Sequence, residues 1–142
     1  MVLYSCSSDS PQQQAERNGN QVQETEFTEF ELEHGIGPVT ERITLDELDL
    51  EKVARGQAIF NSKCTACHEF DRRFVGPPYK DILERRSPEF VMNFILNPGE
   101  MARRHPEGKK MLAEFLTVMP FQNVSKDEAR AIVEYFRTRT SD

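Results

Sequence analysis

The chain has 142 residues, of which 37% are hydrophobic and 30% charged. Its mean hydropathy of −0.63 leaves room for one ordinary domain plus a surplus of polar sequence. No run approaches the ~18 to 20 apolar residues of a membrane-spanning helix, and three cysteines make no disulfide framework. The net charge of −6 is unevenly spread: residues 1–50 hold two basic and eleven acidic side chains, and residues 51–142 hold sixteen basic and thirteen acidic. An acidic arm joined to a mildly basic body argues against nucleic acid as a partner and suits docking on acidic protein surfaces.

Cys6 stands alone in M1-VLYSCSSDS-10. Leu3-Tyr4-Ser5-Cys6 resembles a bacterial lipoprotein box, which implies a lipid on Cys6 and attachment to a membrane. A polar stretch rich in Ser, Asp and Gln follows at once, as a tether requires. Residues 7–34 show only a short alternation at E26-FTEFEL-32 and read as a disordered acidic linker. About 28 flexible residues give an r.m.s. reach of ~30 Å. G35-IGP-38 is a breaker, and Val39, Ile43, Leu45 and Leu48 offer apolar anchors onto the body. The expected division is therefore 1–48, a lipoprotein-like terminus, linker and packing arm, and 49–142, the folded domain.

The body reads as all-α. Thr44 with Glu47 has capping-box form ahead of a helix ending near Asn61 or Ser62. A second helix opens at Ser87 and Pro88 and closes at N97-PG-99. A third spans P106-EGKKMLAEFL-116, and the last begins with the capping box S125-KDE-128. Roughly 90 residues make a small core, and a buried prosthetic group would supply missing apolar surface.

C64-TACH-68 carries the chemistry. A CxxC pair can bind zinc, but zinc needs four ligands, and Cys6, His34 and His105 form no second pair. Thiol exchange of the thioredoxin type requires a strand-to-helix junction in an α/β fold, whereas here a helix precedes the motif and no strands appear. CxxCH is the attachment sequence of c-type haem. Two thiols three residues apart span the porphyrin's vinyl groups, and the adjacent histidine is placed to ligate iron.

With these residues the chain resembles the class I c-type cytochromes over roughly residues 50–140. The resemblance implies a cytochrome c-like fold of about four to five helices around one covalently bound haem. It assigns the thioethers to Cys64 and Cys67 and the proximal iron ligand to His68. In V75-GPP-78 the Pro77 carbonyl would accept the other N–H of His68. In V118-MPF-121 it makes Met119 the second axial ligand, a soft thioether that raises the reduction potential. Met101 and His105 are the rivals; Met92 and Met111 read as core. Gly56 and Phe60 take the places where the first and last helices cross, meeting Tyr135 or Phe136. The segment R103-RHPEGKKMLAEFLT-117 adds to the family pattern.

The implied function is a monohaem one-electron carrier of a bacterial respiratory chain, not an enzyme, passing electrons to or from a reductase, an oxidase or a quinol-oxidising complex. A different reading is a haem enzyme or sensor with a labile sixth ligand; a third is a fixed haem subunit of a larger redox complex. Phe74, Tyr79, Ile82, Phe90, Phe94, Phe115 and Phe121 are the expected apolar lining. Lys63, Arg72, Arg73 and Lys80 would form a basic ring steering acidic partners. Haem attachment outside the cytoplasm implies a periplasmic protein, with no small-molecule substrate.

Overall fold

A computed structural model describes residues 27–141, so Cys6 and most of the acidic arm lie outside the described residues. Within them the chain forms seven helices and no strand: α1 (Glu29–His34), α2 (Leu50–Lys63), α3 (Ile82–Arg85), α4 (Pro88–Leu96), α5 (Pro98–Arg104), α6 (Pro106–Phe115) and α7 (Lys126–Phe136). None of these is long and apolar enough to cross a membrane. The all-α class is as expected, with more and shorter helices than four to five. Proline accounts for much of the difference. Pro88, Pro98 and Pro106 each sit in the first turn of a helix, where a missing N–H costs nothing. Asn97 ends α4 and starts α5, so the expected stop at N97-PG-99 is also a restart. His105 does the same between α5 and α6.

Two boundaries depart from the sequence reading. Thr44 and Glu47 cap nothing; α2 begins at Leu50, with the Asp49 carboxylate accepting from the N–H groups of Glu51 and Lys52. The preceding segment stays irregular because α4 side chains take its amides: Ile43 N–H donates to Glu89 at 2.8 Å and Val39 N–H to Asn93 at 2.9 Å. The linker reading of residues 7–34 also fails at its end. Thr28 and Glu31 form a reciprocal capping box that starts α1, and His34 is buried.

The frame is the crossing of α2 on α7. A Cβ at Gly56 would come within 1.9 Å of the Ala131 carbonyl oxygen, so only glycine lets the two backbones touch there. Phe60 sits 5.4 Å from Phe136 and 5.7 Å from Tyr135, ring centre to ring centre. Glu134, fully buried, ties the pair together: it accepts from the Asp49 N–H at 3.0 Å and from Arg130 and Arg137.

Residues 28–49 run as a strap over the back of α4 and α5. Its anchor is Asn93, with 0% exposure. The Asn93 amide donates to the carbonyls of His34 and Val39 at 3.0 and 2.9 Å while its oxygen takes the Val39 N–H. Ile36 joins Phe90 and Met101 in a small second core beneath the strap. Helices α4, α5 and α6 thus have one side closed by the strap, leaving the other for a site.

Candidate cofactor site

Opposite the strap lies a cavity of about 850 Å³, within the ~300–1,000 Å³ of small-molecule and cofactor sites. Cys64, Cys67, His68, Pro77 and Met119 all line it, as do Tyr79, Ile82, Phe90, Phe94 and Phe115. The motif follows α2 as one further turn: Cys64 N–H donates to the Phe60 carbonyl and His68 N–H to the Cys64 carbonyl at 3.0 Å. Residues four apart in such a turn share a face, which sets His68 beside Cys64.

His68 Nδ1 lies 2.8 Å from the Pro77 carbonyl oxygen. A carbonyl only accepts, so Nδ1 carries the proton and Nε2 keeps its lone pair for a metal. The loop is held close by the Gly76 N–H, which donates to the Cys67 carbonyl at 2.8 Å. A Cβ at Gly76 would meet His68 Cε1 at 2.5 Å, so the glycine is a cradle shaped to the imidazole. Sequence reasoning did not single out Gly76; a glycine between the motif and the prolines was the available signal.

Cys64 and Cys67 are both free thiols. Burial pushes the Cys64 thiol up to about 11 against the smaller opposing pull of Lys63. Burial of that kind disfavours the thiolate form that disulfide exchange uses. Among the described residues no cluster of His, Cys, Asp and Glu could hold a metal ion by itself.

The loop 116–123 carries Met119 to the cavity. Leu116 and Asn123, both left-handed with φ of 56° and 51°, bracket it. Lys63 fastens its end, Nζ donating to the carbonyls of Gln122 at 3.0 Å and Asn123 at 3.2 Å. Met111, read as core from the sequence, is half-buried and lines the cavity as Met119 does, whereas the two rivals Met101 and His105 are engaged elsewhere. Met101 is 0% exposed, and its sulfur accepts the Ile36 N–H from the strap at 3.2 Å. His105 is 1% exposed, with Nε2 on the Glu31 carbonyl and Nδ1 taking the Glu107 N–H. Neither lines the cavity.

Other expectations need correction. Phe74 and Phe121 do not line the cavity; they are 50% and 60% exposed on its outer rim. Of the expected basic ring only Arg72 is closely paired with a carboxylate; bonds to carbonyls leave the charge in place, and Lys80 lies over the Phe70 ring. Arg72 pairs with Glu69, Arg73 donates to the Glu114 carbonyl, and Lys63 is spent on the Met119 loop. The cations that line the cavity are instead Arg85 and Arg86, with Glu114 also at its wall. Arg85 donates to the carbonyls of Lys80 and Pro78. The adjacent arginines just ahead of the Ser87 cap were visible in the sequence, but nothing there said which face they would take.

The family model for cytochrome c matches residues 53–140, and the chain belongs to that family. Its fold agrees with a solved cytochrome c from Rhodothermus marinus, 41% identical, with a TM-score of 0.71 over 76% of this chain and 93% of that one. An engineered cytochrome c from the same organism is 40% identical, with a TM-score of 0.71 over 76% of this chain and 94% of that one. That engineered protein bound to a carbene intermediate is 41% identical over the same shares, with a TM-score of 0.69. No curated protein matches the chain. A member of this family is a haem electron carrier whose cofactor is one covalently bound haem c. The cavity fits that group: an apolar slot, two thiols on its wall and a histidine with a free Nε2.

Proposed function

We propose that Cys64 and Cys67 would hold the haem as thioethers, that His68 and Met119 would be the protein ligands of its iron, and that the Pro77 carbonyl orients His68. The observation that carries this reading is the convergence of all five residues on one cavity while Met101 and His105 are hydrogen-bonded away from it. Bound there, haem supplies an iron centre that takes up and releases one electron. The protein's part is to keep that centre dry and still. Phe90, Phe94 and Ile95 exclude water, the bond to Pro77 holds the imidazole and raises its basicity, and Lys63 holds the loop that presents Met119. A Met119→Ala variant should lose the weak near-infrared sulfur–iron band of the oxidised protein and its reduction potential should fall. An unchanged spectrum would refute the axial assignment.

The partners are redox proteins of a bacterial respiratory chain, a reductase, an oxidase or a quinol-oxidising complex. Support for the docking face comes from Phe74, Val75, Leu116, Val118 and Phe121, all exposed on the two loops that frame the cavity mouth. Arg72 is paired with Glu69 while Lys63, Arg73 and Lys80 keep their charge, so electron-transfer rates with an acidic partner should fall as ionic strength rises. Rates that do not change with salt would remove the basic ring. The setting proposed is the periplasm with a lipid anchor on Cys6, supported by the CxxCH motif and the Leu3–Cys6 resemblance. Mass spectrometry of the mature N-terminus, with Cys6→Ser released from membranes, tests it.

A second reading, a haem enzyme or sensor with an exchangeable sixth ligand, draws on the engineered Rhodothermus marinus protein bound to a carbene intermediate. High-spin iron binding carbon monoxide readily would favour it over the carrier.

A further inference from the structure

A continuous set of hydrogen bonds joins the strap to the cavity wall. The Glu31 carbonyl lies 2.9 Å from His105 Nε2, so that nitrogen carries the proton, and Nδ1 accepts the Glu107 N–H at 3.2 Å. This bond caps α6 and sets the position of Glu107 in its first turn. One Glu107 carboxylate oxygen takes Arg86 Nη2 at 2.7 Å, and the other takes Lys110 Nζ at 2.5 Å. Arg86 in turn lies over the Phe90 ring, 4.8 Å from its centre. Both Arg86 and Phe90 line the cavity, whereas Glu107 does not.

Resting on the haem's occupancy of this cavity, we propose that Glu107 is a positioning residue for the electron-transfer reaction. It offsets the charge of Arg86, which its contact with the Phe90 ring keeps at the cavity wall, and so lowers the haem's reduction potential from outside the cavity.

The physical argument is one of sign. Ferric haem carries one more positive charge than ferrous, so a cation at the wall favours the ferrous state and raises the potential. A carboxylate behind that cation works the other way. The two side chains are 34% and 27% exposed, so solvent screens the effect without removing it. Lys110 first, and Arg86 second, hold the Glu107 carboxyl down to about 2, so it stays ionised across the neutral range.

The test is redox titration of the haem-loaded protein in three variants. Glu107→Gln should raise the potential and Arg86→Gln should lower it, each by about a threefold change in the ferric-to-ferrous ratio at a set ambient potential. Arg86→Gln/Glu107→Gln should fall between the two. High salt should shrink both shifts. A merely structural role predicts something else: loosening the wall admits water and lowers the potential in both single variants. A fall or no change in Glu107→Gln, or a rise or no change in Arg86→Gln, overturns the proposal. The sulfur–iron band separates this outcome from the axial assignment. A parent protein lacking that band refutes Met119 ligation, while opposite shifts in the two variants would still support Glu107.

Discussion

Helices α4 to α6 have two sides that were built differently. Under the strap, polar atoms are buried and partnered: Asn93, Met101 and His105 are each at most 1% exposed and each bonds to strap backbone. Around the cavity mouth the loops show apolar side chains to solvent, Leu116 at 85% and Phe121 at 60% exposure. The strap side therefore carries stability, and the rim presents apolar surface to solvent. Met101 and Met119 make the contrast sharp, because one thioether accepts the Ile36 N–H under the strap and the other lines the cavity.

The contrast can be broken in several ways. The largest effect is expected from Asn93→Ala, which leaves buried amide and carbonyl groups of the strap unpaired and should cost about 3 kcal/mol in denaturant unfolding. The sulfur–iron band should persist, and loss of that band together with the strap would mean the two sides are not separable. Met101→Leu keeps the volume but removes the sulfur acceptor for the Ile36 N–H, for about 1 kcal/mol. If Met101→Leu abolished the band, Met101 would be the axial ligand.

Acid titration probes the Glu107 ion pairs. Its folded pKa is depressed from 4.5 to about 2 by Lys110 and Arg86. The stabilisation is therefore complete above pH 4.5 and lost as pH falls towards 2. Glu107→Gln should remove that part of the acid dependence of the unfolding midpoint. The smallest effect on stability belongs to Leu116→Ser, within about 0.5 kcal/mol. Transfer to a protein partner should nevertheless slow; an unchanged rate would remove Leu116 from the docking face.

Much of the site was legible because its chemistry is written in short spacings. CxxCH names the cofactor within five residues, and the Gly-Pro and Met-Pro pairs locate the loops that complete the cavity. The strap was legible only in its second half, where Val39, Ile43 and Leu45 pack on the core as expected while Leu48 stays exposed. E26-FTEFEL-32 has too few aliphatic residues to look folded, and its helix forms because Asn93 and His105, more than fifty residues away, satisfy its backbone. The capping box at Thr44 misled for a related reason, since Glu89 and Asn93 claim amides in the segment before α2. The basic ring was legible as charge, whereas only the fold showed that Glu69 pairs with Arg72 and that Lys63 fastens the Met119 loop.

The bond from His68 to Pro77 has an evolutionary consequence. Its acceptor is a main-chain oxygen, so no codon change at position 77 can delete it outright. Replacing Pro77 alters the stiffness of the loop, while the oxygen survives. The vulnerable position is its neighbour Gly76, where any side chain would intrude on the imidazole. Drift in this lineage should therefore be freer at the residue that makes the bond than at the one beside it, which makes none with His68.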